Sequence, residues 1–319
     1  METHKINFIQ VSQIKKMRPL IHMKTCLKVV KLPLFLKPLL LGPIFTLWIF
    51  RWQFCSVQMI LPDNIFSPNF PYASFHPLLT PNPFNSEIEF SLWSLRQIRK
   101  SWQEASKSPK YENINYKNKQ MCCVSTPIVS FIRVGNNFSS SKSQIMNSLL
   151  SKHKHDVFFH LHCRGSTKDC LLMKGVVEVS WFCPGGEDED RFDNCLTFTN
   201  LYGDAKEHKK QLSFLQEVSS LIVVFVSSCD YNKENCEIVC DPGQSPKPLI
   251  CLLDNKEKTM VNNANQKVRI GIKNRNEAEL TQEHVATIKF LLELSDTILS
   301  LEDCAPYAHK QGFLIDEDQ

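Results

Sequence analysis

The sequence predicts an α/β fold: a mainly parallel sheet flanked by helices, preceded by a short helical segment and a poorly ordered N-terminus. Three observations predict it. Ile128–Val134, Leu221–Val226 and Leu249–Leu253 are near-continuous apolar runs, the pattern of parallel strands buried on both faces. Helical patterns over residues 143–150, 207–219 and 281–301 alternate with the strands, which is how a chain builds a sheet with helical crossovers. The first apolar run then leads, through a short polar loop, to Ser141-Lys142-Ser143 at the mouth of the first helix. A phosphate-binding loop places its lysine there, so the frame is P-loop NTPase-like.

The elements follow in order. Residues 1–78 are basic, Pro-rich and Phe-rich, with Glu2 the only acidic residue before position 61, and low order is expected. Within them, the apolar segment 38–50 follows basic residues and ends at Arg51. It falls short of the roughly 20 residues of a membrane helix, so membrane insertion is not expected. Residues 79–125 read as a helical lead-in and linker. Ser86 caps a helix, Glu89 takes the capping-box position, and Ile88, Leu92, Leu95 and Ile98 form one stripe flanked by Trp93 and Trp102. The polar stretch 106–120 reads as loop. From residue 126 to 319 the α/β domain runs, with further strands at 171–182 and 194–199 turning through Pro184-Gly185-Gly186. The last helix carries Val285, Ile288, Leu292 and Leu299 at helical spacing. No internal repeat is present.

At 319 residues, 43% hydrophobic content and a formal charge of +4, the chain reads as globular, with too little basicity to argue for nucleic acid. Thirteen cysteines are scattered singly except for Cys122-Cys123. That is no disulfide framework, and a reducing compartment fits better than an oxidising one with a leftover thiol.

The loop before Lys142 reads Gly135-Asn136-Asn137-Phe138-Ser139-Ser140-Ser141, whereas a standard phosphate loop is G-x-x-x-x-G-K-[ST]. Gly135 stands one step early and Ser141 replaces the second glycine. Backbone N–H groups from Gly135, Ser139, Ser140 and Ser141 would face the phosphates. Lys142 would reach the β and γ phosphates and Ser143 would ligate Mg²⁺. The competing reading is a Ser-capped surface helix with a solvated lysine. Downstream, Asn200-Leu201-Tyr202-Gly203 ends a strand where a GTPase has Asp-x-x-Gly. Gly203 is kept and Asn200 replaces the carboxylate, or else serves as a turn residue. After Leu249–Leu253, Asn255-Lys256 fit a guanine-reading [NT]-K-x-D loop. Lys258 occupies the discriminating position, with Glu257 one residue early and Asp254 on the wrong side, so a plain charged turn competes. Thr167 is a candidate for the hydroxyl that closes over Mg²⁺. His153, His155, His160 and His162 surround Cys163 and Cys170, but without paired zinc-ligand spacing. No Ser-His-Asp set or paired carboxylates stand out.

Three segments carry a family resemblance: Glu87-Ile88-Glu89-Phe90-Ser91-Leu92-Trp93, Ser125-Thr126-Pro127-Ile128-Val129-Ser130-Phe131-Ile132-Arg133 and Trp181-Phe182-Cys183-Pro184-Gly185-Gly186. With the runs 193–200 and 274–280, they resemble the interferon-inducible very large GTPases and the related up-regulator of cell proliferation. The resemblance covers residues 79–319. It implies a G domain of dynamin-related type in a cytosolic or nuclear protein, binding GTP and Mg²⁺ with weak hydrolysis. Under it Lys142 and Ser143 are phosphate and Mg²⁺ contacts, Gly203 senses the γ-phosphate, and Asn255-Lys256 meet the base. It also implies a fragment or truncated relative of a longer chain, with self-association through regions outside this sequence. The alternative is a pseudo-GTPase, the fold kept as a protein-interaction module.

Overall fold

Strands buried on both faces are apolar nearly throughout, and β8 and β9 are uncharged and apolar at every position while β5 departs only at Ser130 and Arg133. Strand β5 (Ile128–Val134) sends Ile128, Ile132 and Val134 into one hydrophobic cluster and Val129 and Phe131 into another. Strands β8 (Leu221–Val226) and β9 (Leu249–Leu253) split their side chains the same way. The sheet therefore separates two cores, each closed by helices. A computed structural model describes residues 76–82, 85, 87–103, 116–135, 141–150, 174–184, 190–227, 247–256, 259–262 and 266–316. All lie in the unit Trp52–Gln319. The expectations for the N-terminal segment, including 38–50, fall outside them. No helix among the described residues is long and apolar enough to cross a membrane.

The remaining elements are β1 (His76–Pro81), β2 (Ile88–Phe90), α1 (Leu92–Arg96), β3 (Arg99–Gln103), β4 (Tyr116–Gln120), α2 (Lys142–Leu150), β6 (Val177–Phe182) and β7 (Leu196–Leu201). They continue with α3 (Lys209–Val218), β10 (Met260–Asn262), β11 (Lys267–Gly271), α4 (Glu277–Glu293), α5 (Ala305–Lys310) and β12 (Leu314–Ile315). Short 3-10 turns cover Met121–Cys123 and Ala205–Glu207. The main sheet has ten strands in the order β10-β11-β9-β8-β5-β7-β6-β1-β2-β12. From β11 to β7 every pairing is parallel, whereas β6, β1 and β2 pair antiparallel and β12 adds to β2 in parallel. The sheet is thus mixed, with a parallel centre. Met146, Leu149 and Leu150 of α2 and Ile288 and Leu291 of α4 cover one face. Leu212, Phe214, Leu215 and Val218 of α3 cover the other, with Ala308 of α5.

Several expectations change. The helix expected from Ser86 to Ile98 is instead a strand and a five-residue helix. Ile88 and Phe90 alternate inward and are captured by β1, with Leu79 opposite Phe90. Strand β1 runs across position 78, so the sheet begins before the boundary expected there. Part of the expected linker forms β4, paired with β3. The helix expected over 281–301 starts at Glu277, where Asn276 Oδ1 accepts the Ala278 N–H at 2.9 Å, and stops at Glu293. Leu299 therefore lies beyond it and bridges Thr126 instead.

His284 packs on the buried stripe of α4 at 3% exposure. Burial pushes its pKa down to about 4, with Glu283 opposing and Arg275 reinforcing the fall. The unfolded chain takes up a proton near pH 6.5 that the folded chain refuses until about pH 4. The His284 contribution to stability should then fall by roughly 3 kcal/mol across that window as pH drops. Urea melts of wild type and His284→Leu compared from pH 7 to 4 should show this loss as the difference between the two proteins, because Glu178 titrates in the opposite sense in both.

Candidate functional site

The chain leaves β5, forms α2, and returns as β6 and β7 on one side of β5 before crossing through α3 to β8 on the other. Ligands of open α/β sheets bind outside the carboxyl ends of the strands at such a switch point. Lys142 opens α2 at this place. It is only 8% exposed, and its ammonium donates to the carbonyl oxygens of Leu201 at the end of β7 and of Phe131 in β5. The solvated-lysine reading is thereby overturned. Burial lowers the Lys142 pKa to about 7, Arg133 adds to the fall, and Glu178 counters it.

Ser143, next along, is fully buried and its Oγ has no hydrogen-bond partner. Ser141 caps α2 weakly, its Oγ lying 3.4 Å from the Gln144 nitrogen. Gly135 follows β5 at φ +80°. Its N–H donates at 3.0 Å to Asp204 Oδ2, so it is already engaged. Ser139, Ser140 and Thr167 lie outside the described residues, as do the histidine cluster and Lys258.

Asn200 is level with Phe131 of β5 and Glu178 of β6 in the strand register. Side chains in one row share a face, and Phe131 belongs to the face that α2 covers. Asn200 Nδ2 donates to Glu178 Oε2 at 3.1 Å, and both residues are fully buried. Burial raises the Glu178 pKa to about 8 against the pull of hydrogen bonds from Tyr202 and Asn200 and of the Lys142 charge. Glu178 Oε1 and Asn200 Oδ1 remain without partners, as does Ser143 Oγ. Unpartnered buried oxygens are the donor type a hard divalent cation takes. Such orphan atoms are rare without a purpose.

Gly203 turns the chain after β7 at φ +92°, and a Cβ there would lie 2.9 Å from His208 Nε2. Gly203→Ala should cost about 1–3 kcal/mol through backbone strain and this contact, read from the urea midpoint. Asp204 then caps the following turn, accepting the Lys206 N–H at 3.1 Å. Its two oxygens thus tie the β5 exit to the β7 exit. Sequence reasoning missed Asp204 and Glu178. The signals were a carboxylate directly after Gly203 and a lone charge inside the otherwise uncharged strand Val-Glu-Val-Ser-Trp-Phe.

Asn255 and Lys256 follow β9, which runs parallel to β8 and β5. They therefore stand at the same carboxyl edge as Lys142, with β8 between. The Asn255 carbonyl accepts the Lys273 N–H at 3.0 Å, fixing the turn, and Lys256 is exposed.

Residues 73–319 match the family model for the up-regulator of cell proliferation-like domain. The chain belongs to this family. It is 72% identical over 243 residues to interferon-induced very large GTPase 1 of Homo sapiens, covering 76% of this chain and 10% of that protein. The Mus musculus protein of that name is 67% identical over the same length. Up-regulator of cell proliferation from Bos taurus is 28% identical over 258 residues, covering 76% of this chain and 27% of that protein. This domain of the family thus spans about a tenth of the very large GTPases it matches.

Proposed function

We propose that the chain binds a guanine nucleotide with Mg²⁺ at the carboxyl edge of β5 and β7 and hydrolyses it slowly at most. The observation that carries this reading is the convergence of Lys142, Ser143 and the Asn200–Gly203 turn on one switch point. The order β11-β9-β8-β5-β7-β6, with β6 alone reversed, supports this reading. Similarity to proteins named as GTPases adds support.

In this reading Lys142 exchanges its carbonyl acceptors for phosphate oxygens, which hold an ammonium more strongly because the bond is charge-assisted on both sides. Ser143 Oγ would ligate Mg²⁺, and Asn200 Oδ1 would help hold it from the end of β7. Bound Mg²⁺ supplies neutralisation of phosphate charge. Glu178, hydrogen-bonded to Asn200 and protonated without a cation, would supply the negative charge that Asn200 lacks once a bound cation displaces its proton. Turnover is slow because Asp204, directly after Gly203, has both oxygens committed to backbone N–H groups and is not free to orient a water. Guanine choice rests on Asn255 and Lys256 without the usual carboxylate.

One observation favours the second reading, a pseudo-GTPase acting as an interaction module. The Gly135 N–H and the Lys142 ammonium are both satisfied internally. In either reading, cytosolic or nuclear residence and self-association through regions outside this sequence belong to the proposal. The test is a titration of purified protein with fluorescent GTP and ATP analogues, with and without Mg²⁺. Saturable, Mg²⁺-dependent binding that prefers GTP supports the first reading. Absence of binding by a folded sample supports the second.

A further inference from the structure

We propose that Cys122, Cys123 and Glu302 form a binding site for a thiophilic divalent cation, with zinc the best chemical fit. Their ligand atoms all lie within 4.8 Å of one another. The two sulfurs are 3.6 Å apart. Two thiolates held about 2.3 Å from a tetrahedral zinc would be roughly 3.8 Å apart, so binding demands almost no movement of the pair.

The scaffold explains why the donors meet. Cys122 and Cys123 end the 3-10 turn Met121–Cys123 that precedes β5, and Glu302 lies in the turn leading to α5. The N–H groups of Leu301 and Glu302 both donate to the Cys122 carbonyl, at 2.9 and 3.2 Å. Thr126 and Leu299 exchange backbone bonds at 3.1 and 3.3 Å just beyond. Two segments far apart in sequence are thus clamped main chain to main chain, with all three donors on the clamp.

Arg96 Nε holds Glu302 Oε1 at 2.8 Å. That fixes the carboxylate and leaves its second oxygen for the metal, the orienting role partners outside the coordination sphere commonly play. The Cys123 thiol donates to Gln120 Oε1 at 3.6 Å and also shares a hydrogen bond with the Cys122 thiol. Binding exchanges two S–H protons, released to solvent, for two metal–sulfur bonds. Gln120 Oε1, 3.6 Å from Cys123 Sγ, or a water completes four ligands. Sulfur donors select zinc over magnesium or calcium. Both cysteines are free thiols, and Cys123 is exposed, which gives the ion a route in. The site sits at the amino end of β5, the opposite edge from Lys142, and does not depend on nucleotide binding.

The test uses the full chain, reduced and stripped of metal, titrated with Co²⁺ and then Zn²⁺. The expected result is a thiolate-to-cobalt charge-transfer band that zinc abolishes. Cys123→Ser, at an exposed position, should remove one equivalent of that signal or weaken it at least tenfold. Glu302→Gln should weaken it about tenfold. The remaining cysteines give the same background in every variant, so the difference reports this site. A wild-type signal unchanged by both substitutions overturns the proposal. So does absence of the band in protein with native circular dichroism and free thiols.

Discussion

Lys142→Ala should lower triphosphate affinity by at least about 100-fold, since each hydrogen bond to a charged group contributes roughly 1.5–3 kcal/mol and the ammonium would serve two phosphates. Lys142→Arg should rescue little, because the buried approach between Phe131 and Leu201 fits a narrow ammonium and a planar guanidinium is no substitute there. The pH dependence supplies a second readout. Burial brings the Lys142 pKa down to about 7, and the protonated form is the one that binds phosphate. Wild-type affinity should therefore weaken as pH rises from 6.5 to 8.5, while Lys142→Ala shows no such trend. Fluorescence titrations of both proteins at several pH values, with circular dichroism as a check on folding, measure this. Equal affinities for the two proteins would remove nucleotide binding at Lys142 from consideration.

Glu178→Gln should stabilise the fold increasingly as pH rises. The Glu178 pKa is raised from 4.5 to about 8, chiefly by burial. Between those values the folded chain keeps a proton that the unfolded chain has released. Its contribution to stability is full below pH 4.5 and is lost as pH climbs through 8. Glutamine keeps an acceptor for Asn200 Nδ2 and has no proton to lose. The variant should thus gain about 2–4 kcal/mol over wild type between pH 5 and pH 8. Lys142, whose pKa is lowered, works in the opposite sense: its burial cost is relieved as pH rises above 7. The comparison of variant with wild type at each pH isolates Glu178. If Glu178 also balances a bound cation, the same substitution should weaken the Mg²⁺ dependence of nucleotide binding. A purely structural residue would leave that dependence unchanged.

How much was legible follows from where each signal resides. Strands β5, β8 and β9 were readable because burial on both faces leaves one apolar run per strand. Lys142 and Ser143 were placed at a strand-to-helix junction, and α2 does begin there. Residues 88–98 were ambiguous. Ile88, Leu92, Leu95 and Ile98 satisfy a helical period, while Ile88 and Phe90 also satisfy a strand's alternation. The decision came from β1 and β12, which bracket β2 in the sheet. Leu314-Ile315 lie more than two hundred residues downstream, and no local pattern could weigh that pairing.

Local chemistry in the sequence determined the double-sided strands, the helix opened by Lys142 and the family to which residues 73–319 belong. Side-chain period, turn residues and motif order are properties of short segments, so they survive reading one segment at a time. The tertiary structure alone decided that Glu178 stands beside Asn200, that Asp204 holds Gly135, and that Cys122 and Cys123 face Glu302. Those contacts depend on strand order and on backbone clamps between distant segments. Folding sets them by burying both cores at once, and it is this shared burial that turns scattered charges into sites.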